Sequence, residues 1–250
     1  MIRNLLLSGG PVHDFDATSA TIAAVLATAD GGGDGDGDGD GDGVTIDTTI
    51  VTEPADALAH LRAAAVDLTQ RWNLLTVNAL RWRMEADRYA DQRDAFAFTL
   101  APDDGELIET FVRGGGGLLA LHTAVICFDA EAHWHALTGA SWNWDRSSHP
   151  PVGEVDVEVT DAGRRHPITV GIDPFRIVDE VYGGLDEADD FEPLLTTTRD
   201  GRAHPLLWAR TVGDGHVVTD LLGHGVESVG HPTHRTILRR AAAWTTGSRA

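Results

Sequence analysis

The chain has no lysine, one cysteine, two methionines and two tyrosines among its 250 residues. No apolar run approaches the ~20 residues of a membrane-spanning helix. The apolar part of Met1–Gly10 is too short for a secretory signal and reads instead as a first buried strand. A single thiol, Cys127, excludes an intrachain disulfide and a thiolate zinc cluster. It stands five residues beyond His122, away from the strand-end turn, and reads as an inert buried thiol rather than a nucleophile. There is no G-x-S-x-G elbow and no H-E-x-x-H helix, so serine-hydrolase and zincin chemistry have no support. Positive charge is scarce: 19 arginines face 39 acidic residues, for a net charge of −20. Such a surface repels phosphate backbones and anionic lipid heads, which argues against nucleic-acid and membrane partners. A neutral small molecule or a metal ion is not disfavoured in this way. These absences predict a cytoplasmic protein, and they leave open whether it forms a homo-oligomer.

What is present points to one α/β domain over residues 1–250. A hydrophobic content of 42% excludes a disordered chain. Leu5–Leu7 followed by Ser8-Gly9-Gly10-Pro11 predicts a strand and a glycine turn, with a helix over 18–29. Val44–Val51 and Trp72–Val77 read as the next strands, with a helix over 55–65 between them. A further helix over 103–113 carries acidic residues in its first turn, where the helix dipole favours them. Gly114–Gly117 follow that helix and precede the strand Leu118–Leu121, the reverse of a phosphate loop, so they read as a C-cap and turn. Val155, Val157 and Val159 predict an alternating, exposed strand. Shorter strands and a last helix over 233–244 complete the pattern.

The segment 30–43 consists of Asp and Gly alone. It cannot bury surface and reads as a disordered, solvated insertion. Asp34, Asp36, Asp38, Asp40 and Asp42 alternate as calcium ligands do. Yet the twelfth position from Asp34, where an EF-hand needs a bidentate Glu, is Thr45.

In an open α/β sheet, ligands bind beyond the carboxyl ends of the strands. The polar residues expected there are His13, Asp14, Asn78, His122 and His224. Ten of the twelve histidines fall between His122 and His234, which strengthens the case for a shared site. They are candidate general bases or metal ligands, two roles that spacing alone does not separate. The stretch Ile177-Val178-Asp179-Glu180-Val181-Tyr182 supplies two carboxylates. If it is extended, Asp179 and Glu180 face opposite sides and one of them points into the crevice. Trp142 and Trp144 present faces suited to sugar C–H patches, against the simpler role of buried packing.

Taken in order, several motifs resemble the ThuA-like, trehalose-utilisation family. They are Gly9-Gly10 with His13-Asp14, Gly114–Gly117 with Leu121-His122, His166-Pro167-Ile168-Thr169 and Asp179-Glu180-Val181-Tyr182. Pro205–Trp208, Gly213-Asp214-Gly215 and Gly223-His224 follow. The resemblance spans nearly the whole chain apart from the Asp/Gly insertion. It implies a three-layer α/β/α, flavodoxin-like fold with a mostly parallel sheet, similar to class I glutamine amidotransferases. His122 stands where those enzymes carry a cysteine, so glutaminase chemistry is not expected.

The resemblance further implies a sugar or oxidised-sugar ligand. The leading expectation is an enzyme that abstracts a proton next to the ketone of a 3-keto glycoside. His122 and His224 would sit at the reacting carbon, with Glu180 or Asp179 as base or ligand. His13, Asp14, Asn78, Trp142, Trp144 and Tyr182 would bind substrate. A divalent metal, if used, would draw on His13, His122, Glu180 and His224. The alternatives are a non-catalytic carbohydrate-binding or regulatory protein with a degenerate crevice, and a metal-dependent glycoside hydrolase.

Overall fold

A computed structural model describes residues 1–27 and 45–247, so the expectations for the insertion at 30–43 lie outside the described residues. The first half of the chain alternates β1 (Ile2–Gly9), α1 (Phe15–Ala27), β2 (Ile46–Val51), α2 (Pro54–Val66), β3 (Leu74–Ala79), α3 (Ala90–Phe96), α4 (Pro102–Arg113) and β4 (Gly117–Leu121). Next come α5 (Ala132–Thr138), β5 (Ala140–Ser141), β6 (Gly153–Val159), β7 (Phe175–Asp179) and β8 (Asp186–Glu187). The chain closes with β9 (Pro193–Arg199), β10 (Arg202–Val212), β11 (Gly215–Asp220), α6 (Val226–Gly230) and α7 (Pro232–Thr245).

Local chemistry accounts for several of these boundaries. Pro54, Pro102 and Pro232 each open a helix, where a missing N–H costs nothing. In α4, Asp103 and Asp104 sit at the positive end and Arg113 at the negative end. The turn that follows puts Gly115 at φ 96°, so the glycine run is a helix stop.

Nine strands form one sheet in the order β2-β1-β3-β4-β11-β10-β9-β6-β7. β2, β1, β3, β4 and β11 run parallel to one another. β10, β9, β6 and β7 continue the sheet antiparallel. The 2-1-3-4 order, with β11 in the fifth place, is that of flavodoxin-like sheets.

Helices cover both faces, which makes three layers. Along β1 the side chains alternate: Leu6 packs with Ile22 and Leu26 of α1 and Leu238 of α7. Leu5 and Leu7 pack instead with Leu58 and Leu61 of α2 and Ile108 of α4.

Two details differ from the sequence reading. Val155, Val157 and Val159 of β6 are buried, and it is Glu154, Asp156 and Glu158 that face water. The strand is half-buried, so its valines belong to the core. β3 also continues two residues past Val77, so Asn78 lies inside the strand rather than beyond it. Its side-chain amide donates to Thr18 Oγ1 (3.0 Å) and Ser19 Oγ (2.9 Å) of α1, fixing helix to sheet.

Behind the strand ends lies a buried ion pair between His234 of α7 and Asp220 at the end of β11. His234 Nε2 is 3.0 Å from Asp220 Oδ2 and Nδ1 is 2.9 Å from the Ser228 carbonyl. Both ring nitrogens face acceptors, which is the pattern of an imidazolium. Burial pushes the His234 pKa down, but Asp220 and, more distantly, Asp179 raise it above its ordinary value. A histidine raised on folding stabilises the protein fully below its unfolded pKa of ~6.5 and loses that contribution as pH rises through the folded value. The melting temperature of the wild type relative to His234→Gln should therefore narrow between pH 6 and pH 9. Parallel thermal melts at the two pH values check this.

Candidate functional site

The site is built from four chain segments that end at the carboxyl edge of the sheet. The turn after β1 carries His13. Gly10, at φ 146°, makes that turn sterically feasible, because a Cβ there would come within 2.5 Å of the Leu80 carbonyl. His122 follows β4 directly and has φ 47°, an uncommon conformation for a residue other than glycine. His224 lies in the loop between β11 and α6. Glu180 follows β7, which is last in the sheet order but ends against that same loop.

The three imidazoles form a cluster. Ring centroids of His13 and His122 are 5.2 Å apart, those of His13 and His224 4.7 Å, and those of His122 and His224 5.4 Å. Glu180 Oε2 lies 3.5 Å from His122 Nε2 and 3.4 Å from His224 Nδ1. Its other oxygen, Oε1, is 3.1 Å from His149 Nδ1. Leu221 O, which can only accept, is 2.8 Å from His122 Nδ1. That nitrogen therefore carries a proton, and Nε2 is the ring nitrogen that faces the cluster. The Tyr182 hydroxyl is 3.1 Å from the same Nε2 and shares a hydrogen bond with it.

The charge states follow from these neighbours. Burial lowers the His13 pKa to about 4, with His122 and His224 adding to the effect, so His13 is neutral at pH 7. Burial pushes Glu180 up, but His122, His149 and His224 outweigh it and hold the carboxyl at about 2. Burial pushes His122 down, yet Glu180 and Asp179 raise it above the usual histidine range. Burial, reinforced by Glu180 and Asp179, keeps the Tyr182 hydroxyl protonated.

This donor set fits a divalent cation. One ligand atom from each of His13, His122, Glu180 and His224 can be chosen so that all lie within 4.8 Å of one another. The two separations from Glu180 Oε2, to His122 Nε2 and to His224 Nδ1, are 3.5 and 3.4 Å, about the edge of a tetrahedron with metal–ligand bonds of about 2.1 Å. His13 Nδ1 and Nε2, Glu180 Oε2 and His224 Nδ1 are all buried without a hydrogen-bond partner. Leaving such atoms unpaired costs about 1–3 kcal/mol each. The His122 Nδ1–H to Leu221 bond is the outer contact that fixes a ligating histidine's tautomer.

Other predicted residues take different places. Asp179 does not face the cluster. Its Oδ2 accepts from Gly223 N (2.7 Å) and the Ser228 hydroxyl, and its Oδ1 accepts from Glu180 N (2.8 Å) and His224 N (3.3 Å). Fully occupied and 1% exposed, it is a clamp on the His224 loop. Asp14 is exposed and accepts from Ala17 N at 3.0 Å, capping α1. Asn78, as described above, packs against α1. Trp142 and Tyr182 join the site, their ring centroids 5.4 Å apart. Cys127 is buried, its thiol bonded to the Ala79 carbonyl at 2.9 Å and its pKa pushed up to about 12 by burial.

His149 went unrecognised in the sequence. It lies in an irregular loop beside Pro150, with neither periodicity nor a strand end to mark it.

A family model described as ThuA, trehalose utilisation, matches residues 57–245. No curated protein matches. Among solved structures, a ThuA-like protein from Parabacteroides merdae superposes with a TM-score of 0.70 at 16% identity, covering 99% of this chain and 91% of the other. A cytoplasmic protein from Salmonella typhimurium LT2 gives 0.60 at 14% identity, over 98% and 99% of the two chains. A β-galactosidase from Rahnella sp. R3 gives 0.56 at 12% identity, with 99% of this chain matching 31% of that enzyme. At these identities the likeness is one of fold. Among the described residues no helix is long and apolar enough to cross a membrane.

Proposed function

Since the chain belongs to the ThuA, trehalose-utilisation family, we propose that it is an enzyme of oxidised sugars, abstracting the proton next to the ketone of a 3-keto glycoside. The observation that carries this reading is the convergence of His13, His122, Glu180 and His224 at the strand ends, with inward atoms of His13, Glu180 and His224 buried and unpaired.

A ketone at C3 acidifies the neighbouring C–H, and removing that proton requires a base and a group that stabilises the enolate. A general base works best with a pKa near the working pH. His13, at about 4, and Glu180, at about 2, are too weak for that role and serve better as anchors. His122 and His224 remain as the groups next to the reacting carbon. Three protein groups suffice for a catalytic cation with an open position. His13, His122 and Glu180 would hold it, and it would supply Lewis-acid stabilisation of the developing enediolate. His224, whose side chain is 30% exposed, then takes the proton. Tyr182, protonated and next to His122, is placed to return one to the enolate oxygen.

The test is proton exchange followed by NMR in D2O, using a 3-keto disaccharide with and without added divalent metal. Deuterium appearing next to the ketone is the expected result. Neither exchange nor product with any metal would overturn the reading in favour of a non-catalytic carbohydrate-binding protein.

A further inference from the structure

Apart from the histidine cluster, the structure has a cavity of about 380 Å³ lined in part by Trp82, Arg83, Arg88, Tyr89, Asp129 and Trp144. That volume is in the range of small-ligand pockets. We propose that this cavity is a carbohydrate subsite that holds the aglycone ring of a disaccharide or longer glycoside whose oxidised ring sits at the histidines. The inference rests on the function proposed above and extends it to the choice of substrate.

Three observations carry it. The first is the platform. Trp82 stacks on Trp144 with centroids 6.0 Å apart and 27° between planes, and Tyr89 meets Trp82 edge-on at 5.1 Å. Trp82 thus covers one face of Trp144, yet 40% of Trp144 remains exposed. An exposed indole on a rigid aromatic base suits the C–H face of a pyranose.

The second is charge. In a chain of net −20, this cavity balances Arg83 and Arg88 against Glu85 and Asp129. Balanced planar polar groups around an aromatic face fit a neutral, hydroxyl-rich ligand and disfavour an anion or a cation. The wall is also pre-set. Asp129 accepts from Arg83 N (3.1 Å) and Trp144 Nε1 (3.1 Å), locking the indole to the loop after β3. Met84 and Phe128, on two of the three segments that line the cavity, hold φ of 53° and 54°. Arg93 Nε fixes the Met84 carbonyl at 2.9 Å. Strain retained in this way belongs to sites that are organised before the ligand arrives.

The third is continuity. Trp142 touches Trp144 at 6.3 Å and Tyr182 at 5.4 Å, and Tyr182 bonds His122. A chain of aromatic contacts therefore links the wall of the cavity to His122.

The experiment compares a 3-keto disaccharide with a 3-keto methyl glycoside in the full-length protein, for the wild type, Trp144→Ala, Trp144→Phe and Tyr89→Ala. The expected result is that kcat/KM for the disaccharide relative to the single-ring substrate falls about tenfold in Trp144→Ala. The loss should lie in KM, and Trp144→Phe should restore most of it. An unchanged ratio would overturn the subsite. If the wild type turns over neither substrate, the proposed chemistry fails, and calorimetry with unoxidised trehalose and glucose decides the subsite separately. Trehalose binding that is tighter than glucose binding and is lost in Trp144→Ala upholds it. Absence of trehalose binding to the wild type overturns it.

Discussion

Replacing His122 by alanine is expected to abolish proton exchange next to the substrate ketone, because His122 is one of the groups that would hold the cation whose Lewis acidity stabilises the enolate. The same change should remove bound divalent metal, because His122 is the residue that touches every other part of the cluster. Its Nε2 faces Glu180 and the Tyr182 hydroxyl, and its ring lies against those of His13 and His224. The fold should survive. The Leu221 carbonyl loses its donor, at about 1–3 kcal/mol. A circular-dichroism melt would show this modest loss, elemental analysis after dialysis the metal content, and NMR the exchange. Undiminished exchange would remove His122 from the chemistry.

The second large effect is expected at a residue that touches no substrate. Asp179→Ala strips the acceptor from three backbone N–H groups and from the Ser228 hydroxyl in a site closed to water. Breaking a buried charged network of this kind costs about 3–5 kcal/mol. For a chain of this length that is a fall of roughly 10 °C in melting temperature. Two of those N–H groups belong to Gly223 and His224, so the loop that presents the His224 imidazole should loosen as well. Metal affinity should then fall even though no ligand has been removed. Asp179→Asn, which keeps one acceptor oxygen, should lie between the two. An unchanged melt for Asp179→Ala would mean that the loop is held by other contacts.

These residues also show how far the sequence could be read. The alternation of strand, turn and helix was legible because apolar runs and glycine turns are local signals, and the strand-end rule then selected His13, His122 and His224. Opposite facing of Asp179 and Glu180 was legible as well, since side chains alternate along a strand. Which of the two faces the crevice was not, because that depends on how β7 meets the β11–α6 loop. Asp14 was taken for a site residue, although an Asp directly before Phe15 and a helical run is equally a capping signal. His234 and Asp220, fourteen residues apart on different elements, are joined only by tertiary packing. Trp82 and Tyr89 sit in the irregular segment after β3, where no periodicity announces that one indole will lie on another.

Cys127 has a practical consequence. With its sulfur buried and its thiol shifted to about 12, the native chain presents nothing for a maleimide or a methanethiosulfonate to modify. A cysteine introduced at an exposed position, such as Val226 two residues beyond His224, would therefore be the sole target of a spin label or fluorophore. Distances measured from that one reporter could follow how the His224 loop responds as metal or sugar is added, with the wild-type background silent.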